Sequence, residues 1–260
     1  MTQSIILGIV QGIAEWLPIS SEGILVLLEV NIFKSSLSLG SLINYALFLH
    51  LGTFLAALIY FRKEVWSLLG GLLKYKSTER RKVLNFYIIS TIITGIVGLF
   101  ILRLLKYFEM ASAKWIMLII GLALLVTALL QFKNKTKEHY REESDLKTTD
   151  SVLLGVLQGF SIIPGLSRSG LTVAGLLLRK FSDNTALKLS FIMSLPVVLA
   201  GNIVLNLDKF VLSAENLLGL LFSFGFGILT IHILLKVSQK VNFAWFVLIF
   251  GLIIIASAFI

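Results

Sequence analysis

Cysteine is absent from the chain, which excludes disulfides, thiolate metal sites and a cysteine nucleophile. Charge is scarce as well: 14% of the residues are Asp, Glu, Lys or Arg and 57% are hydrophobic, whereas soluble domains are about 25% charged. Proline occurs only at 18, 164 and 196, so breaks in the apolar runs are few and placed. No lysine or arginine precedes Lys34, and the first apolar run therefore lacks the basic flank of a cleavable signal peptide. With a mean hydropathy of +0.93, these shortages describe an all-α polytopic membrane protein, one membrane domain over residues 1–260. The net charge of +9 raises nucleic acid as a partner, but the basic residues sit in short loops between apolar runs, where they set orientation. Membrane lipids are the expected partners and nucleic acid is not.

What is present begins with an apolar run from Ser4 to Trp16, broken by Gln11 and Glu15. It falls short of the ~20 residues a spanning helix needs, so it reads as the first arm of a re-entrant hairpin. Pro18, Ser20 and Ser21 break it and offer a hydroxyl cap to a returning arm, Gly23 to Val30. Asn44 to Phe61, Val83 to Leu105 and Lys114 to Phe132 have spanning length, with Val65 to Leu73 as an interfacial helix. Residues 133–150 form a polar connector, read as solvated, with His139 an ordinary surface residue. Three more spans are expected at Ala186 to Asn206, kinked at Pro196, at Leu217 to Val237 and at Phe243 to Ile260.

The second half repeats the first in outline. Leu7-Gly8-x-x-Gln11-Gly12 returns as Leu154-Gly155-x-x-Gln158-Gly159, and twelve residues after each glutamine stands a glycine, Gly23 or Gly170. Ser20 thereby aligns with Ser167, and Ser21 with Arg168. Repeat one is 1–132 and repeat two 151–260, each a re-entrant helix hairpin plus three transmembrane helices. Three crossings invert the second repeat, and inverted repeats place a binding site near the midplane where broken helices face each other. Seventeen basic residues fall on one side of this arrangement and five on the other, which makes the richer side cytoplasmic and puts both termini outside.

The stretch from Gln158 to Thr172 carries the chemistry. Arg168 stands at membrane depth among Ser167, Ser169, Gly170 and Thr172, and an arginine there costs roughly 3 kcal/mol unless partnered. Hydroxyls and N–H groups at the start of a half-helix, next to a guanidinium that grips two oxygens, suit a phosphate or diphosphate. The competing reading is a helix-end arginine snorkelling to water. In the first half, Gln11 and Glu15 are four residues apart and share a helix face, with Ser20 and Ser21 just beyond. Glu15 is open to pairing with Arg168, to metal binding or to general-base work. Glu22 is divided between the site and the dipole of the returning helix.

Gln11-Gly-Ile-Ala-Glu15-Trp-Leu-Pro18-Ile-Ser20-Ser21-Glu-Gly23 resembles the Glu/Gln-x-x-x-Glu and Pro-x-Ser-Ser-x-Gly signature of the undecaprenyl-diphosphatase family, also called the bacitracin-resistance protein A family. Pro164-Gly165-Leu-Ser167-Arg168-Ser169-Gly170-Leu-Thr172 resembles its second signature, Pro-Gly-x-Ser-Arg-Ser-x-x-Thr, and the likeness extends to Leu189-Ser190-Phe191 and Pro196. The resemblance implies hydrolysis of a polyprenyl diphosphate, typically undecaprenyl diphosphate, to the monophosphate and phosphate. This would recycle the lipid carrier of cell-wall or envelope synthesis at a prokaryotic plasma membrane, with a divalent cation, Mg²⁺ or Ca²⁺. It assigns Arg168 to the phosphates and makes Ser21 a candidate nucleophile or a ligand-side hydroxyl. Glu15 and Gln11 go to metal or water, and Ser20, Gly165, Ser167, Ser169 and Thr172 to the phosphate shell.

One departure from the family pattern stands out: Ile24 occupies the place where well-known bacterial members carry a histidine. His50, midway along the first span, is the nearest substitute in sequence. It also reads as a buried histidine bonded to a neighbouring helix, so turnover is expected to survive His50→Ala. His232 reads as structural. A transporter or scramblase for polyprenyl phosphate is the alternative function, because inverted repeats with midplane sites are transporter architecture. A homodimer stays open.

Overall fold

The computed structural model describes residues 1–35, 37–73, 78–104, 115, 118, 119, 121, 122, 124–126, 128, 129, 132, 140–163, 166–206, 213–240 and 243–259. Among these, the regular elements are helices, with one isolated bridge between Arg141 and Phe181. The α-helices with described bounds are α1 (Thr2–Ala14), α2 (Ser21–Leu27), α3 (Leu39–Tyr60), α4 (Arg62–Leu73), α5 (Thr78–Leu104), α6 (Thr148–Phe160), α7 (Arg168–Leu178), α8 (Asp183–Asn206), α9 (Ala214–Ser238) and α10 (Phe243–Ser257), with a π-helical segment Leu28–Ile32 after α2 and a 3-10 turn Glu143–Asp145 before α6.

Among the described residues, four helices are long and apolar enough to cross a membrane: α3, α5, α8 and α9. Two further spans were expected. Lys114 to Phe132 lies partly outside the described residues. Phe243 to Ile260 yields the 15-residue α10, after which Ala258 and Phe259 close tighter turns on Ile255 and Ala256. Helix α8 continues through Pro196 as a single element. The interfacial segment at Val65 falls inside α4, which follows α3 after Phe61 alone.

Helices α1 and α7, 13 and 11 residues long, measure roughly 20 Å or less and cannot cross a ~30 Å hydrocarbon layer. Their boundaries follow from local chemistry. Pro18 lies beyond α1, and Ser20, in extended backbone, caps α2 by accepting the Gly23 N–H at 3.2 Å. Ser167 caps α7 in the same way, accepting the Gly170 N–H at 3.1 Å. The two hairpins differ in burial. Residues Ser169 to Leu177 of α7 are buried without interruption, while α2 buries only Ser21 and Leu25.

The short helices pack across the two halves of the chain. Helix α1 lies along α9, and α6 along α5, while α3 packs on both α8 and α9. The repeated glycines make these contacts possible. A Cβ on Gly8 would sit 2.2 Å from the Gly219 carbonyl oxygen, and one on Gly12 would sit 2.8 Å from the Gly227 nitrogen. A Cβ on Gly155 would meet the Ser90 carbonyl oxygen at 2.8 Å, and one on Gly159 would meet Val97 at 2.6 Å. Backbone approaches backbone, as small residues allow in membrane helices.

The connector departs from the solvated reading. His139 and residues 133–138 lie outside the described residues, but Arg141 and Asp150 are tied into the second half. Arg141 donates to both carboxylate oxygens of Asp150, at 3.2 and 2.6 Å, and to the Arg179 carbonyl, and it lies 4.2 Å from the Phe181 ring. Arg179 Nε donates to Asp150 as well, at 2.8 Å. Asp150 also accepts the Lys147 backbone N–H, so it caps α6 while pairing with two guanidinium groups. Burial alone would raise its pKa, but these hydrogen bonds hold it below the ordinary carboxylate value.

Candidate active site

Glu15 follows the last residue of α1 and is 7% exposed. Its carboxylate is met by four side chains from four helices. Gln11 Nε2, one turn back on α1, donates to Oε2 at 2.9 Å. The Ser21 hydroxyl, at the first position of α2, donates to the same oxygen at 2.9 Å. His50 Nε2, from α3, lies 3.0 Å away from it. Arg168, at the first position of α7, donates from a terminal guanidinium nitrogen to Oε1. The Arg168 guanidinium, with the Gln11 and Ser21 donors, favours the ionised carboxylate.

His50 therefore belongs with Glu15. Its Nδ1 lies 2.7 Å from the Ala46 carbonyl of its own helix, and a carbonyl can only accept, so Nδ1 carries a proton. A second proton on Nε2 satisfies the contact with the carboxylate. Each ring nitrogen is then held by an acceptor, which fixes the ring. Glu15 closes the neighbouring helix α1, so His50 is bonded across helices and stands among the candidate site residues.

Three buried polar atoms around this cluster have no hydrogen-bond partner among the described residues: Arg168 Nη1, Trp16 Nε1 and Gln11 Oε1. The Arg168 guanidinium lies 5.8 Å from the Trp16 ring, which meets Phe191 edge-on at 4.8 Å. A buried N–H left open on a guanidinium next to an apolar wall is a place for an oxyanion.

The remaining expected residues divide. Ser20 is committed to the α2 cap and Ser167 to the α7 cap. Ser169 donates to the Leu17 carbonyl at 2.6 Å, and Thr172 pairs with Ser190 at 2.6 Å and donates to the Arg168 carbonyl at 2.9 Å. These two hydroxyls join protein to protein in this structure. Glu22 is half-buried in the first turn of α2, beside Ser21. Gly165 lies outside the described residues. His232 is exposed and meets the Tyr60 hydroxyl at 3.2 Å. Sequence reasoning missed the Leu17 carbonyl, because backbone acceptors leave no residue-type signal, and it passed over Ser190 except as part of the Leu-Ser-Phe motif.

Residues 4–255 match the family model described as bacitracin resistance protein BacA. The chain belongs to the BacA family. A protein of Methanococcoides burtonii named undecaprenyl-diphosphatase is 43% identical to it, the match covering 100% of this chain and 99% of the relative. Proteins of the same name from Methanothrix thermoacetophila and Haloarcula marismortui are 37% and 36% identical, over 98% and 95% of this chain and 95% and 93% of their own lengths. Likeness to these members of the BacA family runs through both halves of the chain, so the Glu15 and Arg168 stretches both fall within it.

Proposed function

We propose that the chain hydrolyses a polyprenyl diphosphate, undecaprenyl diphosphate in the first instance, to the monophosphate and inorganic phosphate. The observation that carries this reading is the meeting of Glu15, Ser21, His50 and Arg168 with one guanidinium nitrogen left unpartnered. Phosphoryl transfer asks for an in-line nucleophile, a proton acceptor and neutralisation of phosphate charge, and little more. Ser21 already directs its hydroxyl proton at Glu15 Oε2. That proton passes to the carboxylate as Ser21 Oγ bonds the terminal phosphorus. The bond from phosphorus to the bridging oxygen breaks, and the polyprenyl monophosphate leaves with its electron pair. Water then bonds the phosphorus as the bond to Ser21 Oγ breaks; the proton held by Glu15 returns to Ser21, restoring hydroxyl and carboxylate, and both water hydrogens leave on the inorganic phosphate. Arg168 binds the phosphate oxygens through its open N–H, and His50 offsets the charge of the cluster.

A divalent cation fits this donor set in one way. Gln11 Oε1 is buried without a partner, and Glu15 Oε1 accepts from Arg168 with a second lone pair in reserve. Two such oxygens suit an ion of the Mg²⁺ type, which keeps most of its shell for water and phosphate. Among the described residues no group of three or more Asp, Glu or His is placed to hold a metal. When bound, the cation would supply further neutralisation of phosphate charge.

The same reading takes the two broken hairpins, α1–α2 and α6–α7, as re-entrant segments of an inverted repeat in the plasma membrane, with both termini outside. The reciprocal packing of α1 on α9 and α6 on α5 supports it. The test is phosphate release from a long-chain prenyl diphosphate by purified protein, with and without Mg²⁺ or Ca²⁺. Release that falls by about 10²-fold or more in Arg168→Lys and further in Arg168→Ala is the expected result, since lysine cannot reproduce the two-pronged grip. A folded protein that releases no phosphate yet moves polyprenyl phosphate across reconstituted vesicles would replace this reading with the transporter.

A further inference from the structure

Helix α1 ends at Ala14, and the chain from there to α2 carries carbonyls outside any helical ladder. In hydrocarbon surroundings such a carbonyl must find its donor within the protein. Leu17 finds it in the other half of the chain. Ser169 Oγ donates to its carbonyl at 2.6 Å, Ser167 Oγ lies 3.4 Å from the same oxygen, and the two hydroxyls are 3.1 Å apart. Both serines are buried, Ser167 at 3% and Ser169 at 2% exposure. The approach is close: a Cβ on Gly170 would stand 3.4 Å from the Pro18 Cα.

A serine hydroxyl has a single proton to donate. That of Ser169 is engaged by Leu17, so it has none for a phosphate oxygen, which is itself an acceptor. Leu17 lies two residues beyond Glu15, and Arg168 stands between the two serines. The contact therefore fixes both ends of the Glu15–Arg168 pair. We propose that Ser169, supported by Ser167, is a positioning residue that docks the tip of one broken hairpin on the free carbonyl of the other. It sets where the guanidinium meets the substrate and is not itself a phosphate ligand. This rests on the hydrolase reading of the site.

The test compares Ser169→Ala with Ser169→Thr, which keeps a hydroxyl. Ser169→Ala should lower kcat by about 10- to 100-fold while KM and inhibition by inorganic phosphate stay within about twofold, and Ser169→Thr should recover most of the loss. A second measurement needs no turnover. Spin labels on Leu27→Cys and Leu178→Cys, at exposed ends of α2 and α7 in this cysteine-free chain, report the separation of the hairpins. Their distance distribution should broaden in Ser169→Ala and narrow again in Ser169→Thr. Unchanged label distances overturn the proposal, whether or not hydrolysis is detected. So does a Ser169→Ala variant whose inhibition by phosphate weakens as much as that of Arg168→Lys. If the protein proves not to hydrolyse diphosphates at all, broadening still upholds the docking role.

Discussion

At the residue scale, Glu15 is the hub: one buried carboxylate holds Gln11, Ser21, His50 and Arg168 in a single cluster. Burial of a charge is costly unless it is paired and hydrogen-bonded, and here two of the four donors come from groups able to carry positive charge. Loss of His50 leaves Oε2 with fewer donors and removes the charge opposite it. His50→Ala should lower kcat/KM by about 10²- to 10⁴-fold, in the range of a lost acid–base or charge-stabilising group. Release assays on the purified variant decide this, and wild-type turnover would return His50 to a packing role. Much of this cluster was legible beforehand. The Gln11–Glu15 spacing, the hydroxyls after Pro18 and the isolated Arg168 are local patterns. His50 was legible only as the nearest substitute for the missing histidine; its contact with Glu15 was not, because a single histidine in an apolar span says nothing about which face of which neighbour it meets. The Leu17 carbonyl that takes the Ser169 proton was hidden for a related reason: a backbone acceptor is invisible in a string of side chains.

At the element scale, the glycine pairs decide how closely helices approach. An alanine methyl at Gly8 would fall 2.2 Å from a backbone oxygen, which no side-chain rotation relieves, whereas one at Gly95 would meet nothing within 4 Å. Gly8→Ala should destabilise by about 1–3 kcal/mol through overpacking, and Gly95→Ala should be neutral or slightly stabilising from helix propensity. Thermal unfolding in detergent separates the two. The ends of α6 and α7 are joined by Asp150, buried and bonded to Arg141 and Arg179. Its folded pKa lies below the unfolded value of about 3.9, so its contribution to stability is full above that pH and is lost as pH falls through the folded value. Arg141→Ala should cost about 3 kcal/mol near neutral pH and flatten the acid-side decline, measured as unfolding midpoint against pH. Composition hid this element. Averaged over residues 133–150 the segment is polar, and only the fold reveals that Asp150 faces inward.

At the scale of the whole molecule, four spans and the two hairpin breaks followed from apolar length, proline and serine, while the partnering of helices did not. No local pattern announces that α1 will lie on α9 or α6 on α5. Each half lends its short first helix to the other. Residues 1–132 and 151–260 expressed separately should therefore fail to yield monodisperse, folded protein, and co-expression should restore it in part. Size-exclusion profiles in detergent would show this, and a stable isolated half would contradict it.

The same exchange sets an order for assembly during synthesis. Helix α1 emerges first, yet the surface that receives Gly8 and Gly12 is made of Gly219 and Gly227, about 200 residues later. At translation rates of roughly 5–20 residues per second, the first hairpin waits some 10–40 s for its partner. For most of that interval, about 150 residues of synthesis, Glu15 has no Arg168, and throughout it lacks a finished wall. The oldest part of the chain is thus the last to be completed, and factors that shelter half-inserted polar segments would act on this protein at its N-terminal end.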